Sequence, residues 1–388
     1  MNRRQFFTNT TCLAAVSLGL PRASQAATEE TVYVSAKSGA DSNPGTKEAP
    51  VRTLSAAATR VNAITQTGPT TILLDEGIYA VNETAVFKPT FPYSKINRLS
   101  IRAAVLPDDP DWHTGRMPTL IHTMPLSQEW NGRPDPFGGV AYGMQIETSH
   151  VTIQGLKILG MPIVEHPKPG AIHRVYAIGR NDEKLDDLEV KQCLFAGDEV
   201  TNPSHLPILV RGTGLVLDHC LFYNVKQPVV YWTPGSAGHA MRNCLIYGAY
   251  GCSIWTSGIA NDLDYRNNVV SNCNYIWIGQ GARSSLAETG QATRPPAEAT
   301  PPQLTEPVHY RVKDSLFAGN SKFTGSGAGP ALNFRDTDPS FLELIGTKVT
   351  EQPVQLELDQ TKRNYLHPVA GSEAARIGAG LFLKPVAE

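Results

Sequence analysis

Apolar and polar positions alternate along the middle of this chain in a short phrase that returns at nearly fixed spacing. It reads Leu188-Glu-Val-Lys-Gln-Cys-Leu-Phe-Ala-Gly197, then Leu215-Val-Leu-Asp-His-Cys-Leu-Phe-Tyr-Asn224. It returns as His239-Ala-Met-Arg-Asn-Cys-Leu-Ile-Tyr-Gly248 and Leu263-Asp-Tyr-Arg-Asn-Asn-Val-Val-Ser-Asn272, with fainter copies at 151–160 and 310–319. The matching position runs Cys193, Cys220, Cys244, Asn268, in nearly equal steps along the chain. Alternation that ends in Gly or Asn is the pattern of a half-buried strand and a turn. A repeat of this length marks a solenoid. A unit of about 24 residues built from short strands and bends predicts one coil of a parallel β-helix. Stacked coils lie ~4.8 Å apart, so equivalent side chains form ladders along the axis.

A second strand is expected in each central coil, at Pro207-Ile-Leu-Val-Arg-Gly, Pro228-Val-Val-Tyr-Trp-Thr, Gly251-Cys-Ser-Ile-Trp-Thr and Asn274-Tyr-Ile-Trp-Ile-Gly. Toward the N-terminus, residues 31–80 predict a cap. A strand begins at Thr31, a turn-rich loop follows, and apolar residues at helical spacing (Leu54, Ala57, Ala58, Val61, Ile64) predict a helix with Thr53 as N-cap. Central coils are expected over 144–336 and a closing segment over 337–388. Residues 283–307 form a Pro-rich loop too poor in strand formers to pack. Further excursions are expected at 107–115, 125–139 and 160–173.

The N-terminal segment 1–26 reads as a cleaved export signal. Arg3-Arg4 precedes Phe6-Phe7, a weakly apolar run follows, and Ser24-Gln25-Ala26 is a small-x-small cleavage site. The paired arginines resemble a twin-arginine signal. They imply a periplasmic or secreted protein, with no membrane insertion after the signal is removed. Residues 27–388 then form one elongated domain. Five cysteines remain, three in one ladder position, and are expected to be small buried hydrophobes rather than a disulfide frame. Of 388 residues 41% are hydrophobic and 18% charged, with net charge −2, which offers no field to attract nucleic acid.

Several stretches carry a family resemblance. Tyr33-Val-Ser, Gly39-Ala-Asp-Ser-Asn-Pro-Gly-Thr46, Pro50-Val-Arg-Thr-Leu54 and Ile72-Leu-Leu-Asp-Glu-Gly-Ile-Tyr79 resemble the N-terminal cap of secreted bacterial pectate-lyase-like proteins. Tyr365 to Gly380 resembles their closing segment. The resemblance implies an all-β, right-handed parallel β-helix with an N-terminal helix cap and loop excursions. It implies a polysaccharide as partner, and a stacked solenoid with capped ends is expected to be a monomer. It is a likeness of scaffold: the compact Asp-Asp-Gly-aromatic-Asp calcium segment of the pectate lyases is absent from this sequence, as are the Asn-Gly-Gly-Glu and Lys-Ser stretches of β-helix alginate lyases.

The candidate chemistry follows from the ladders. Trp232, Trp255 and Trp277 recur at coil spacing and are expected to stack as exposed platforms for sugar rings, alternating with Tyr231, Ile254 and Ile276. Tyr231 and Arg266 are added as substrate-binding candidates. Arg211 occupies the equivalent position one coil before Trp232. The outward row Lys191, Asp218, Arg242, Arg266 and Lys313 is mostly basic. Such a row suits a lyase, which must neutralise a uronate carboxylate, remove the C5 proton and protonate the leaving oxygen. Lys191, Arg211, Arg242 and Asp218 are therefore the catalytic candidates. The alternatives are a glycoside hydrolase using carboxylates such as Asp198 and Asp218, and a non-catalytic carbohydrate-binding protein. Acidic pairs lie at 182–183, 186–187, 198–199 and 262/264. Asp198 and Glu199 are the candidate ligands should calcium serve as cofactor. His219 interrupts a row of Gln192, Asn243 and Asn267 and is expected to be structural. His173, Arg174 and Arg180 flank a strand beside the 160–173 excursion.

Overall fold

The repeating phrase folds into coils that share three parallel sheets. The computed structural model describes residues 29–383, except 66–67, 131–132, 136–137, 164–173, 234, 257–258, 280–308 and 327–333. The export signal and the 283–307 loop lie outside the described residues. In each coil the first half of the phrase is a strand of sheet A and the second half a strand of sheet B. The Val/Ile/Trp-bearing segment that follows is a strand of sheet C. Sheet A has ten strands, and sheets B and C have nine each. Strand, connection and parallel strand wind right-handed, and the molecule is a right-handed parallel β-helix.

Register explains the sequence repeat. In sheet A, Ile153, Val190, Leu217, Met241, Tyr265 and Val312 pair in succession and point inward. In sheet B the inward row is Ile158, Phe195, Phe222, Ile246, Val270 and Phe317. The Phe195 and Phe222 rings stack at 4.9 Å with an interplanar angle of 7°. Between sheets A and B the chain bends at one residue in left-handed conformation. Gln192, His219, Asn243, Asn267 and Asp314 occupy that place with φ between 47° and 55°. Side chains that bond locally tolerate this region, and here they bond along the ladder. Asn267 Nδ2 donates to Asn243 Oδ1 at 3.2 Å, and Asn243 Nδ2 to Asp218 Oδ1 at 2.9 Å. His219 belongs to this turn row, as its place in the sequence implied. Cys193, Cys220 and Cys244 are free and buried, and Asn268 continues their row by accepting from Cys244 N and donating to Met241 O.

Helix α1 (Leu54–Asn62) covers the first coils. Thr53 caps it by accepting from Ala56 N, and Leu54, Ala57, Ala58 and Val61 are its buried face. The segment expected to close the other end divides into two parts. Leu342–Ile345 and Lys348–Thr350 add a last strand each to sheets A and B. Residues 353–383 then run back along the outside of sheet B as a strap that includes α2 (Glu373–Ile377). Val354 N bonds Ser271 Oγ, Gly380 N bonds Asn243 O, and Leu381 O accepts from Gln192 Nε2. Under the strap lies a second apolar layer, with Leu194, Leu221, Leu245, Val269 and Leu316 from sheet B against Leu366, Ala379, Leu381 and Phe382. Among the described residues no helix is long and apolar enough to cross a membrane.

Phe222→Ala removes a fully buried ring from the middle of an aromatic ladder. Urea unfolding should show a loss of about 3–5 kcal/mol. A loss under about 1 kcal/mol would contradict a continuous laddered core.

Candidate functional site

The three outer faces differ in what their residues leave available. The outer side of sheet B is packed under the strap. The outer side of sheet A carries the charged row, in the register expected: Lys191 pairs with Asp218, Asp218 with Arg242, Arg242 with Arg266 and Arg266 with Lys313. Most of these charges are matched. Lys191 meets Glu189 at 3.3 Å, Arg242 meets Asp218 at 3.0 Å and Asp264 at 3.7 Å, and Arg266 meets Asp264 at 3.3 Å. Asp218 is the hub of the network. Its Oδ1 also accepts from Asn243 and lies 2.7 Å from His219 Nδ1. Burial alone would raise the Asp218 pKa, but bonds from His219, Asn243 and Arg242 outweigh it and hold the carboxyl at about 2.

Sheet C has the third outer side, and its outward row is buried. Its outward row Gly179, Leu209, Val230, Trp255 and Ile278 is apolar. Beside it Tyr142 and Tyr176 stack at 5.1 Å, and Cys252 pairs with Tyr275. Trp232 and Phe334 pack on the same layer. At its edge Arg174 forms an ion pair with Asp135, both side chains buried, and Asp135 Oδ2 accepts from Gly138 N and Gly139 N.

The tryptophans do not form one row, which corrects the sequence expectation. Trp255 ladders with Val230 and Ile278, whereas Trp277 ladders with Ile254. The cause is a local change of alternation: Cys252 and Trp255 face outward, and Ile254 between them faces the core. Trp277 is therefore an interior residue. It stacks on Tyr310 at 5.2 Å and donates Nε1–H to Thr256 Oγ1 at 3.0 Å. Tyr231 is likewise in the core, against His239, and cannot touch a surface ligand without unfolding its coil. Trp255 faces outward but is only 7% exposed. Trp232 is half-buried, edge-on to Trp255 at 6.3 Å. Arg211 and Trp232 follow the paired residues Val210 and Tyr231, so they are neighbours where sheet C ends. Arg211 bonds Glu183 at 3.3 Å. Arg180 is fully buried inside the coil, donating to Arg211 O and Thr213 O. The candidates thus fall on two faces: Lys191, Asp218, Arg242 and Arg266 on sheet A, and Arg211, Trp232 and Trp255 on sheet C.

The opposite end of sheet C, where the chain turns in from sheet B, holds groups that the sequence reading missed. His205 and Lys226 are buried and Tyr250 is half-buried. Tyr250 Oη lies 2.7 Å from His205 Nδ1. Burial pushes the Lys226 ammonium down to about 8, against the opposing influence of Glu199 and Cys252. Burial, then the charges of Glu199 and Asp198, push the Tyr250 phenol well up. Asp198 itself caps the turn it starts. Its Oδ1 accepts from Val200 N, Thr201 N and Thr201 Oγ1. Calcium needs several free carboxylate oxygens converging. Asp198 and Glu199 do not fit that need, because Asp198 is committed to its turn and no group of three acidic, His or Cys side chains among the described residues is placed to hold a metal. Nor do Asp198 and Asp218 pair as hydrolase carboxylates, since a sheet B strand separates the corners they occupy.

No family model matches the chain, and a search of curated proteins finds no match. Solved structures similar to it include a pectin methylesterase in complex with a hexasaccharide (11% identity, TM-score 0.48, covering 93% of this chain and 100% of that one). A rhamnogalacturonan lyase aligns at 13% identity and TM-score 0.45, over 91% and 99% of the two chains. A lacto-N-biosidase from Eubacterium ramulus aligns at 13% and 0.44, over 82% of this chain and 55% of that one, so this chain spans about half of its length.

Asp218→Asn tests the sheet A network. The folded-state pKa is depressed, so the charge stabilises above the unfolded pKa near 4, and that stability is lost as pH falls through about 2. At pH 6 the variant should be about 1–2 kcal/mol less stable than the wild type in urea. The gap should close between pH 4 and 2. A constant gap would show that packing, not charge, carries the effect.

Proposed function

We propose that this protein is an exported polysaccharide lyase that cleaves a uronate-containing chain by β-elimination along the outer side of sheet C. One observation carries the reading. That face joins an aromatic layer to a cationic side chain at its end, Arg211 beside Trp232. The sheet B face lies under the strap and the sheet A face carries its charges without an aromatic layer, so neither offers the same combination. Sugar rings stack on an indole face, and a uronate carboxylate seeks a guanidinium. The paired arginines and cleavage site within segment 1–26 support export by the twin-arginine route.

Mature protein incubated with acidic and neutral polysaccharides should raise ultraviolet absorbance from unsaturated uronate together with reducing ends, on acidic chains alone. Reducing ends without unsaturation would make it a hydrolase. Retained glycan without either signal would make it a binding protein. Trp232→Ala and Arg211→Ala should each raise KM about tenfold, near 1.4 kcal/mol, with kcat within about threefold. An unchanged KM in both would move the substrate off this face.

A further inference from the structure

The expectation of a monomer presumes that both ends of the solenoid are capped. Helix α1 covers the first coils, but residues 353–383 run along sheet B instead of across the last coil. Sheet C ends in a short antiparallel strand, Arg335–Asp336. Sheets A and B end in Leu342–Ile345 and Lys348–Thr350, and among the described residues no strand pairs with their far edges. The inward rows break off there too. Val312 and Phe317 are fully buried, whereas Leu344 next to Val312 is 38% exposed and Val349 next to Phe317 is 56% exposed.

Backbone bonds show which groups are left over. Asp314 N donates to Ile345 O, Gly319 N to Thr350 O, and Lys348 N to Ser315 O. Successive residues of a strand present their backbone groups to opposite sides. Leu344 and Val349 therefore aim N–H and C=O at the open edge, while their side chains continue the core rows. Such an edge is a template for another strand.

We propose that the occupant is the same edge of a second copy, related by a two-fold axis through the corner at Gly346 and Thr347. The contact is isologous and closes as a dimer. Rotation about that axis lays 342–345 antiparallel on 348–350 of the second copy. Counting from the corner sets Leu344 opposite Val349 of the second copy, and Ile345 opposite its Lys348. Three properties then agree. Leu344 and Val349 are the residues whose backbone groups face the edge, so they exchange both N–H···O bonds. Both side chains lie on inward rows, so the apolar interior runs on across the axis. Glu343 and Lys348 of the second copy become diagonal neighbours of opposite charge on the outer side. Glu343 also holds Arg311, and Lys348 also pairs with Glu373, so signs alternate around the contact. Symmetry makes each match twice. A slip of one residue would lose all three, because it sets inward residues against outward ones.

Sedimentation equilibrium of the mature protein should give twice the chain mass at about 50 µM, above the weak end of ordinary interfaces, and a lower mass on dilution. Val349→Pro separates a paired edge from a free one. It removes an N–H that faces solvent in a monomer, a place where proline is tolerated, but that bonds the second copy in the dimer. The variant should keep its circular dichroism spectrum and sediment as one chain. If it does not fold, Leu344→Lys, an inward-pointing edge charge, decides by the same readout. Glu343→Lys and Lys348→Glu should each weaken association about tenfold, and the double variant should recover most of the loss. A single chain mass for the wild type at about 50 µM would overturn the proposal, as would a folded Val349→Pro that remains dimeric. A double charge variant no tighter than the single ones would overturn this register.

Discussion

Backbone pairing between coils at ~4.8 Å is the constraint on which the rest of this structure depends. It sets every side chain directly on its counterpart in the next coil, so each row must tolerate its own repetition. Phenylalanine on phenylalanine satisfies it through stacking, and asparagine on asparagine through amide bonds. Charge does not repeat so freely. Two like charges about 5 Å apart repel by roughly 1–3 kcal/mol between bulk water and a protein surface. The basic row on sheet A answers this by placing Asp218 in the row and Asp264 beside it. What reads as an anion-binding stripe in one dimension is thus a largely neutralised strand face in three.

The same constraint explains what the sequence made legible. A strand of sheet A, one left-handed residue and a strand of sheet B form a unit of nearly constant length. Rows such as Cys193, Cys220, Cys244 and Asn268, or Lys191, Asp218 and Arg242, can therefore be aligned by counting. Sheet C is entered through connections of unequal length, from the excursion at 197–207 to the short link at 248–251. Counting across them loses register. One irregular strand, Cys252–Thr256, then shifts the alternation. Trp277 follows Trp255 at coil spacing and yet faces the core, because its partner in the register is Ile254. The strap is hidden for another reason: its apolar positions follow no repeat, because they match a surface already built by sheet B.

The corner cluster is legible in principle. His205, Lys226 and Tyr250 recur along the chain at the spacing of the coils themselves. They are easily missed because their short segments resemble turns, and because a search for chemistry along exposed strands passes over the bends. In a solenoid the bends repeat as strictly as the strands do. Groups far apart in the sequence share one corner when three coils stack them.

Energetics separates that corner from ordinary packing. A lysine whose pKa falls from 10.5 to about 8 bears a burial cost on its charged form of about 3 kcal/mol. Asp218 on sheet A shows the opposite behaviour, being held by partners that favour its ionised form.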